Sequence, residues 1–527
     1  MAIRTPYRVL PYTQRGFISL LSEVSTSTDT IVSSKQHASY LFNYLDSIGA
    51  KTIVLESRYI DHDYLEDYAG YYVRCFNRYR RTTSRLHFFS NEFNSNQFKR
   101  VVEGGPSSRL TNKLTQGYLG FIVVKPLPQT IIGRSCLKTY PTDAGRRNFP
   151  TLHTYCANLF GIPLTVESLA YQEQDSVVAA CATSALWSVF QGSGKIFHHP
   201  IPSPVEITKS GSLHIPDNRA SGNLPHETRG LHHSGLTATQ MAHAVRAVGI
   251  DPYLVGASND YLLKCTTYAY LKASIPALLG FTLVEAHNGN ITNNMGRHAV
   301  AVTGFSLGNP APTPFSNNNM LITASRIDKI YVHDDQIGPF AKMIFDQNNT
   351  LLTAWTDGQN NIGNVYGIPE MLIIPLYHKI RIPFQIIHNN VANFDAGLEI
   401  LRANNFVPLK SRIEWDIYLC DVNTFKKEIS LNKELDKTSK RNLLSLNMPR
   451  YLWRATGLED NIAKFDVLFD ATDIEQGAII ITAIAYDTAL KAALVALYPI
   501  IAAAPLFKNS SMIFQKIHTP PTFTAIE

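Results

Sequence analysis

No CxxC pair occurs in this chain, and its six cysteines, at positions 75, 136, 156, 181, 265 and 420, stand far apart. That spacing argues against a zinc knuckle or a disulfide framework and suits a reducing, cytoplasmic setting. There is no GxxxxGK[ST] segment, so a P-loop nucleotide hydrolase is not expected. An excess of one charge sign is also missing: 48 Lys and Arg face 42 Asp and Glu, a net +6 over 527 residues. Such a balance is too weak to imply a nucleic-acid partner. The most apolar run, Gly477 to Leu506, is interrupted by Asp487 and Lys491 and broken by Pro499 and Pro505. It reads as a strand and a buried Ala-rich helix, with no membrane span expected. The opening MAIRTPYRVLPYTQRGF lacks the apolar stretch of a secretory signal.

What is present is ordinary globular material: 45% hydrophobic residues, with 25 Tyr and 26 Phe, enough to bury substantial cores. The pattern predicts an α+β protein in three parts. Residues 1–150 read as an accessory α+β domain, with helical spacing at 35–48, a strand at KTIVLES and a β run at YLGFIVVKPLP. Residues 151–380 form the central part. There, 191–235 is rich in Gly, Pro, Ser, Asn and His and predicts a long loop. LTATQMAHAVRAVG predicts an amphipathic helix with Thr237 as N-cap and Gly249 as stop. PALLGFTLVE, RHAVAVTGFSL, DKIYVHD and YGIPEMLIIPLYHKI predict strands. Residues 381–527 read as a second accessory α+β domain.

The chemistry gathers in the central part. In QEQDSVVAACATSALWSVFQG, Cys181 is placed at the start of an apolar helix. There the helix dipole and free N–H groups stabilise a thiolate, the form a nucleophilic cysteine needs. Gln174, seven residues earlier, can supply an amide to an oxyanion, with Gln172 as the spare candidate. His298 opens the strand HAVAVTG, a rigid place for a general base. KIYVHDDQIGPF ends a further strand in Asp334 and Asp335, either of which can orient the imidazole.

The order Gln, Cys on a helix, His on a strand and an acid after the next strand resembles the papain-like cysteine peptidases. The elements Gln174, Cys181, GLTATQMAHAVRAVG, PALLGF, HAVAVTG and YVHDDQIG are similar to the bacteriocin-processing (double-glycine) branch of that family. The resemblance covers about 210 residues. It implies a Cys-bearing helix packed on an antiparallel sheet, with Cys181 as nucleophile, His298 as base and acid, Gln174 as oxyanion donor and Asp334 as orienting acid. Asp335 stands where those relatives often carry Pro. It further implies hydrolysis of a peptide or isopeptide bond without a cofactor. The flanking domains would bind a regulatory ligand or partner, in a bacterial stress or defence setting. The rival readings are a transglutaminase-like acyltransferase and a non-catalytic scaffold on a decayed protease fold.

Two other features carry plainer readings. His198, His199, His214, His226, His232 and His233 are irregularly spaced and short of thiolate or carboxylate company, so a metal site is not expected from them. The arginines of RCFNRYRRTTSRLHFF, at 74, 78, 80, 81 and 85, read as a solvated helix end and a strand.

Overall fold

The computed structural model describes residues 6–104, 109–175, 181–214, 235–308, 320–346, 348–433, 435–472 and 479–519. The chain is α+β, and it divides into two compact units. The first comprises residues 1–258, 274–306 and 329–375; the second comprises 259–273, 307–328 and 376–527.

In the first unit, Tyr7–Pro11, Thr52–Tyr59, Thr83–Phe89, Tyr118–Val124 and Ile132–Leu137 form a five-stranded sheet in chain order. Each strand pairs antiparallel with the next. Thr83–Phe89 and Tyr118–Val124 are buried along their whole length. Arg85 is therefore a core residue, paired to Glu56 at 2.9 Å and lying over the Tyr59 ring at 4.1 Å. Arg74, Arg78, Arg80 and Arg81 are exposed, and the strand that follows them carries Arg85 inward as an interior ion pair.

A second sheet of the same unit is built around Ala277–His287, which pairs antiparallel with Asn290–Leu307 on one side and Val365–Leu376 on the other. Ile327–Asp334, Gly338–Phe345 and Leu351–Leu352 continue the path between those two neighbours. The sheet therefore closes on itself, which leaves no free edge on that path. Along Asn290–Leu307 the first eight residues are exposed, and burial begins at His298. The base candidate thus stands where the strand enters the closed sheet.

Against these sheets packs the helix Cys181–Phe197, buried at every position from Ala182 to Gly194. A helix buried on all faces needs apolar or small side chains nearly all round, and CATSALWSVFQGSG supplies them, with Gln191 as its one large polar residue. One core joins Val54 and Phe89 of the first sheet, Leu186, Trp187 and Phe190 of the helix, and Leu278 and Ala301 of the closed sheet. Burial of each large side chain contributes roughly 1.5–3 kcal/mol. Because this core is shared, the boundary expected near residue 150 is not where the chain divides. The boundary expected near 380 falls close to the observed one at 375/376, but 259–273 and 307–328 also belong to the second unit.

The long loop expected over 191–235 is corrected as well. Its first residues continue the Cys181 helix to Phe197, and Pro204–Ser212 is a helix with a Ser203–Glu206 capping box. The glycines that suggested a loop are packing residues. A Cβ on Gly192 would lie 2.8 Å from Pro276, and one on Gly194 would lie 2.8 Å from Ile201. Residues 215–234 lie outside the described residues. The helix expected after them is Ala238–Ala247, capped by Thr237 with Gln240 in a capping box.

The second unit carries a sheet ordered Leu321–Ile322, Glu414–Asp421, Tyr451–Glu459, Ile462–Asp470 and Ile480–Ala485. The helix Phe384–Ala403, not anticipated from the sequence, contributes Phe394, which meets Trp415 at 5.7 Å between ring centres. The apolar run near the end forms the strand Ile480–Ala485 and the helix Thr488–Ala503, which includes Pro499. No described helix is long and apolar enough to cross a membrane.

Candidate active site

Cys181 is the first residue of its helix and is partly exposed. Its side chain and that of His298 line the same cleft. His298 Nε2 lies 3.1 Å from Asp334 Oδ1, and because an ionised carboxylate only accepts, Nε2 donates there. The ring's other nitrogen is thereby left for the thiol, the arrangement a base needs to take its proton. Three of the predicted residues are therefore brought together in the predicted order, and Asp334 is the acid closer to the imidazole.

Asp334 is itself held. The Trp355 indole N–H donates to its Oδ2 at 2.8 Å, and the Gln336 backbone N–H donates to its Oδ1 at 3.1 Å. Trp355 and Phe281 each meet the imidazole edge-to-face, with ring centres 5.4 Å apart in both cases. Burial disfavours a charged His298. The Asp334 carboxylate, its hydrogen bond, the Cys181 side chain and the charge of Asp335 outweigh it, and the imidazole pKa is raised well above its ordinary value. For Asp334 burial works against ionisation, but the His298 charge and the hydrogen bonds from His298, Trp355 and Gln336 lower its pKa. The geometry thus favours an imidazolium–carboxylate pair.

Asp335 behaves differently. Its Oδ1 lies 3.5 Å from His298 Nε2, yet neither carboxylate oxygen has a hydrogen-bond partner among the described residues. Burial, aided by repulsion from Asp334, pushes its carboxyl up to about 7, against the pull of His298. Its main chain is firmly tied: the carbonyl accepts from His37 Nε2 at 2.7 Å and from the Gln174 backbone N–H at 3.3 Å. His37 in turn sits 3.8 Å from Glu173, which is paired to Lys35 at 2.8 Å and accepts the backbone N–H groups of Ile131 and Ile132.

Gln174 is therefore placed beside the acid turn through its main chain. The Gln172 side chain is buried, and its Nε2 has no hydrogen-bond partner among the described residues. Residues 176–180, between these glutamines and Cys181, lie outside the described residues. Cys181 and His298 open onto a cleft of about 650 Å³, whose apolar wall includes Leu236, Met241, Phe281 and Met371. Arg297 and Glu370 also line it, paired at 3.2 Å. His214 reaches the same cleft, while His199 bonds Ser193 and the Pro200 carbonyl. His226, His232 and His233 lie outside the described residues.

Sequence reasoning missed Trp355 and His37. Trp355 lies 21 residues beyond the acid it holds, in a segment with no motif, and its only signal was a lone Trp among turn residues. His37 lies 298 residues from its partner and had no signal at all. No protein-family model matches the chain, and no curated protein matches it.

Proposed function

We propose that the chain is a thiol hydrolase of the papain-like type that cleaves a peptide or isopeptide bond. The observation that carries this reading is the relay of Cys181, His298 and Asp334 at the head of a buried helix, open to a cleft and braced by Trp355. His298 holds the Cys181 proton as an imidazolium, and the thiolate attacks the substrate carbonyl carbon. The tetrahedral intermediate collapses as the carbon–nitrogen bond breaks, and the His298 imidazolium gives its proton to the leaving amine. Water, deprotonated by His298, then attacks the thioester, releases the acid and restores the thiol. Asp334 keeps Nε2 protonated and the ring oriented throughout. The substrate in this reading is an extended peptide segment. The apolar cleft wall would take a hydrophobic side chain, and the Arg297–Glu370 pair would contact polar substrate groups. The rest of the chain would govern substrate choice.

The test is brief exposure of the full chain to limiting iodoacetamide near pH 6, read by intact-mass spectrometry. Ordinary thiols are nearly unreactive there. Fast single labelling at Cys181, lost in His298→Ala, is expected. Slow or scattered labelling in both proteins would overturn the reading.

A further inference from the structure

Among the described residues, Asp335 is a buried carboxylate with neither oxygen hydrogen-bonded. Its side chain is 3% exposed, and it faces a second carboxylate across one imidazole. An unsatisfied buried carboxylate costs several kcal/mol unless a water, a proton or a cation meets it. The tied backbone of its turn prevents the side chain from escaping by a main-chain shift.

We propose that His298, Asp334 and Asp335 form a site for one divalent transition-metal ion of the zinc class, which on binding removes the imidazole from service as a base. One ligand atom from each residue lies within 4.8 Å of the other two. Tetrahedral zinc with ligands about 2.0–2.1 Å away sets neighbouring ligand atoms about 3.4 Å apart. His298 Nε2 stands 3.1 Å from Asp334 Oδ1 and 3.5 Å from Asp335 Oδ1, on either side of that edge length. One nitrogen and two carboxylate oxygens suit zinc, with a fourth position left for water. The hydrogen bonds from Trp355 and Gln336 to Asp334 are the outer support that metal-bound carboxylates require.

The chemistry of inhibition follows from the ring. A metal on Nε2 displaces the proton there to solvent and leaves the ring's single proton on Nδ1. That nitrogen can then no longer take the Cys181 proton. Binding rests on the geometry alone, whereas its inhibitory consequence rests on the peptidase reading.

The experiment uses the full chain, freed of metal by chelation, and Co²⁺ as a spectroscopic probe, with Zn²⁺ calorimetry beside it. One equivalent is expected to bind, with visible bands stronger than those of aqueous Co²⁺, as a tetrahedral site gives, and no thiolate-to-cobalt charge-transfer band. Binding should survive in Cys181→Ser and weaken at least about tenfold in Asp335→Asn. Absence of saturable binding would overturn the proposal, as would binding lost in Cys181→Ser but kept in Asp335→Asn. Should Asp335→Asn fail to fold, zinc-edge X-ray absorption of the unmutated protein decides. A shell of nitrogen and oxygen alone supports the site, and a sulfur at about 2.3 Å overturns it. Labelling of Cys181 without metal reports separately on the peptidase reading, so the two failures are distinguishable. Where both hold, one equivalent of Zn²⁺ slows that labelling and a chelator restores it.

Discussion

Two buried carboxylates, Asp466 in the second unit and Asp335 in the first, are treated in opposite ways. In the second unit, Asp466 is fully buried and saturated with donors. Arg454 reaches it with Nε at 3.0 Å and Nη2 at 2.7 Å, and the Thr456 and Tyr486 hydroxyls each donate at 2.5 Å. Asp395 is similarly served by Arg412 at 2.9 Å and the Trp415 indole at 2.8 Å. In the first unit, Asp334 is satisfied, but its neighbour Asp335 is equally buried and has no donor for either oxygen among the described residues. A saturated buried charge is structural material. One left short of partners beside a histidine and a thiol marks a place where the fold tolerates cost for chemistry.

The largest expected effect tests the chemical side of that contrast. His298→Ala should lower Cys181 labelling near pH 6 by up to roughly 10²-fold, and any hydrolysis of a peptide substrate once one is found by roughly 10³-fold or more. The first unit should lose stability as well, since Asp334 and Asp335 are left buried without their cation, so labelling is compared well below the melting temperature of both proteins. The next effect tests the structural side. Asp466→Ala leaves the Arg454 guanidinium buried beside no carboxylate of its own unit except the exposed Glu428. It should cost about 3–5 kcal/mol in urea unfolding of the second unit, followed by the fluorescence of Trp415 and Trp453. Asp335→Asn in chelated buffer should cost far less, because the pull of His298 at 3.5 Å that it gives up is offset by removing a buried charge that has no hydrogen bond among the described residues. Equal losses from the two substitutions would erase the comparison.

A smaller effect comes from pH. His87 is fully buried, with Nε2 3.3 Å from Glu56 and Nδ1 2.9 Å from the Tyr118 hydroxyl. Burial, with help from Arg85, pushes its imidazole down to about 4, so it is neutral in the folded protein at pH 7. The unfolded chain takes up a proton near 6.5, which the folded one resists. Stability is therefore full above 6.5 and falls as pH drops from 6.5 towards 4, by about 3 kcal/mol over that window. Unfolding of the first unit by urea should weaken with this slope, and His87→Gln should flatten it. An unchanged slope in the variant would place the acid sensitivity elsewhere.

The site was legible where chemistry and periodicity coincide. Cys181 before an apolar helical run, His298 at the head of an apolar strand and Asp334 at the end of another could all be placed from local pattern. The five strands of the first sheet were only partly legible, because the short Tyr7–Pro11 and the polar-looking Ile132–Leu137 lack clear alternation. The helix over 191–197 was unreadable for a definite reason. Gly192 and Gly194 look like breakers, and only the approach of Pro276 and Ile201 explains them. The division into units was hidden because its cause is a core assembled from residues more than 200 positions apart, as Val54 and Leu278 are.

Trp355 supplies the smallest effect and the finest test of how the two acids differ. Its indole N–H is one of the three donors that make Asp334 unlike Asp335. Trp355→Phe keeps an aromatic edge near the imidazole but removes that donor. A hydrogen bond to a charged group is worth about 1.5–3 kcal/mol, and the imidazole retains its own bond to Asp334, so the lower end applies. Labelling of Cys181 near pH 6 should slow by about tenfold, with little change in melting temperature. A loss as large as that of His298→Ala would mean that Trp355 holds the whole relay in place. No change in labelling would mean that Asp334 needs only His298 and the Gln336 N–H, and that satisfaction of its second oxygen does not separate it from its neighbour.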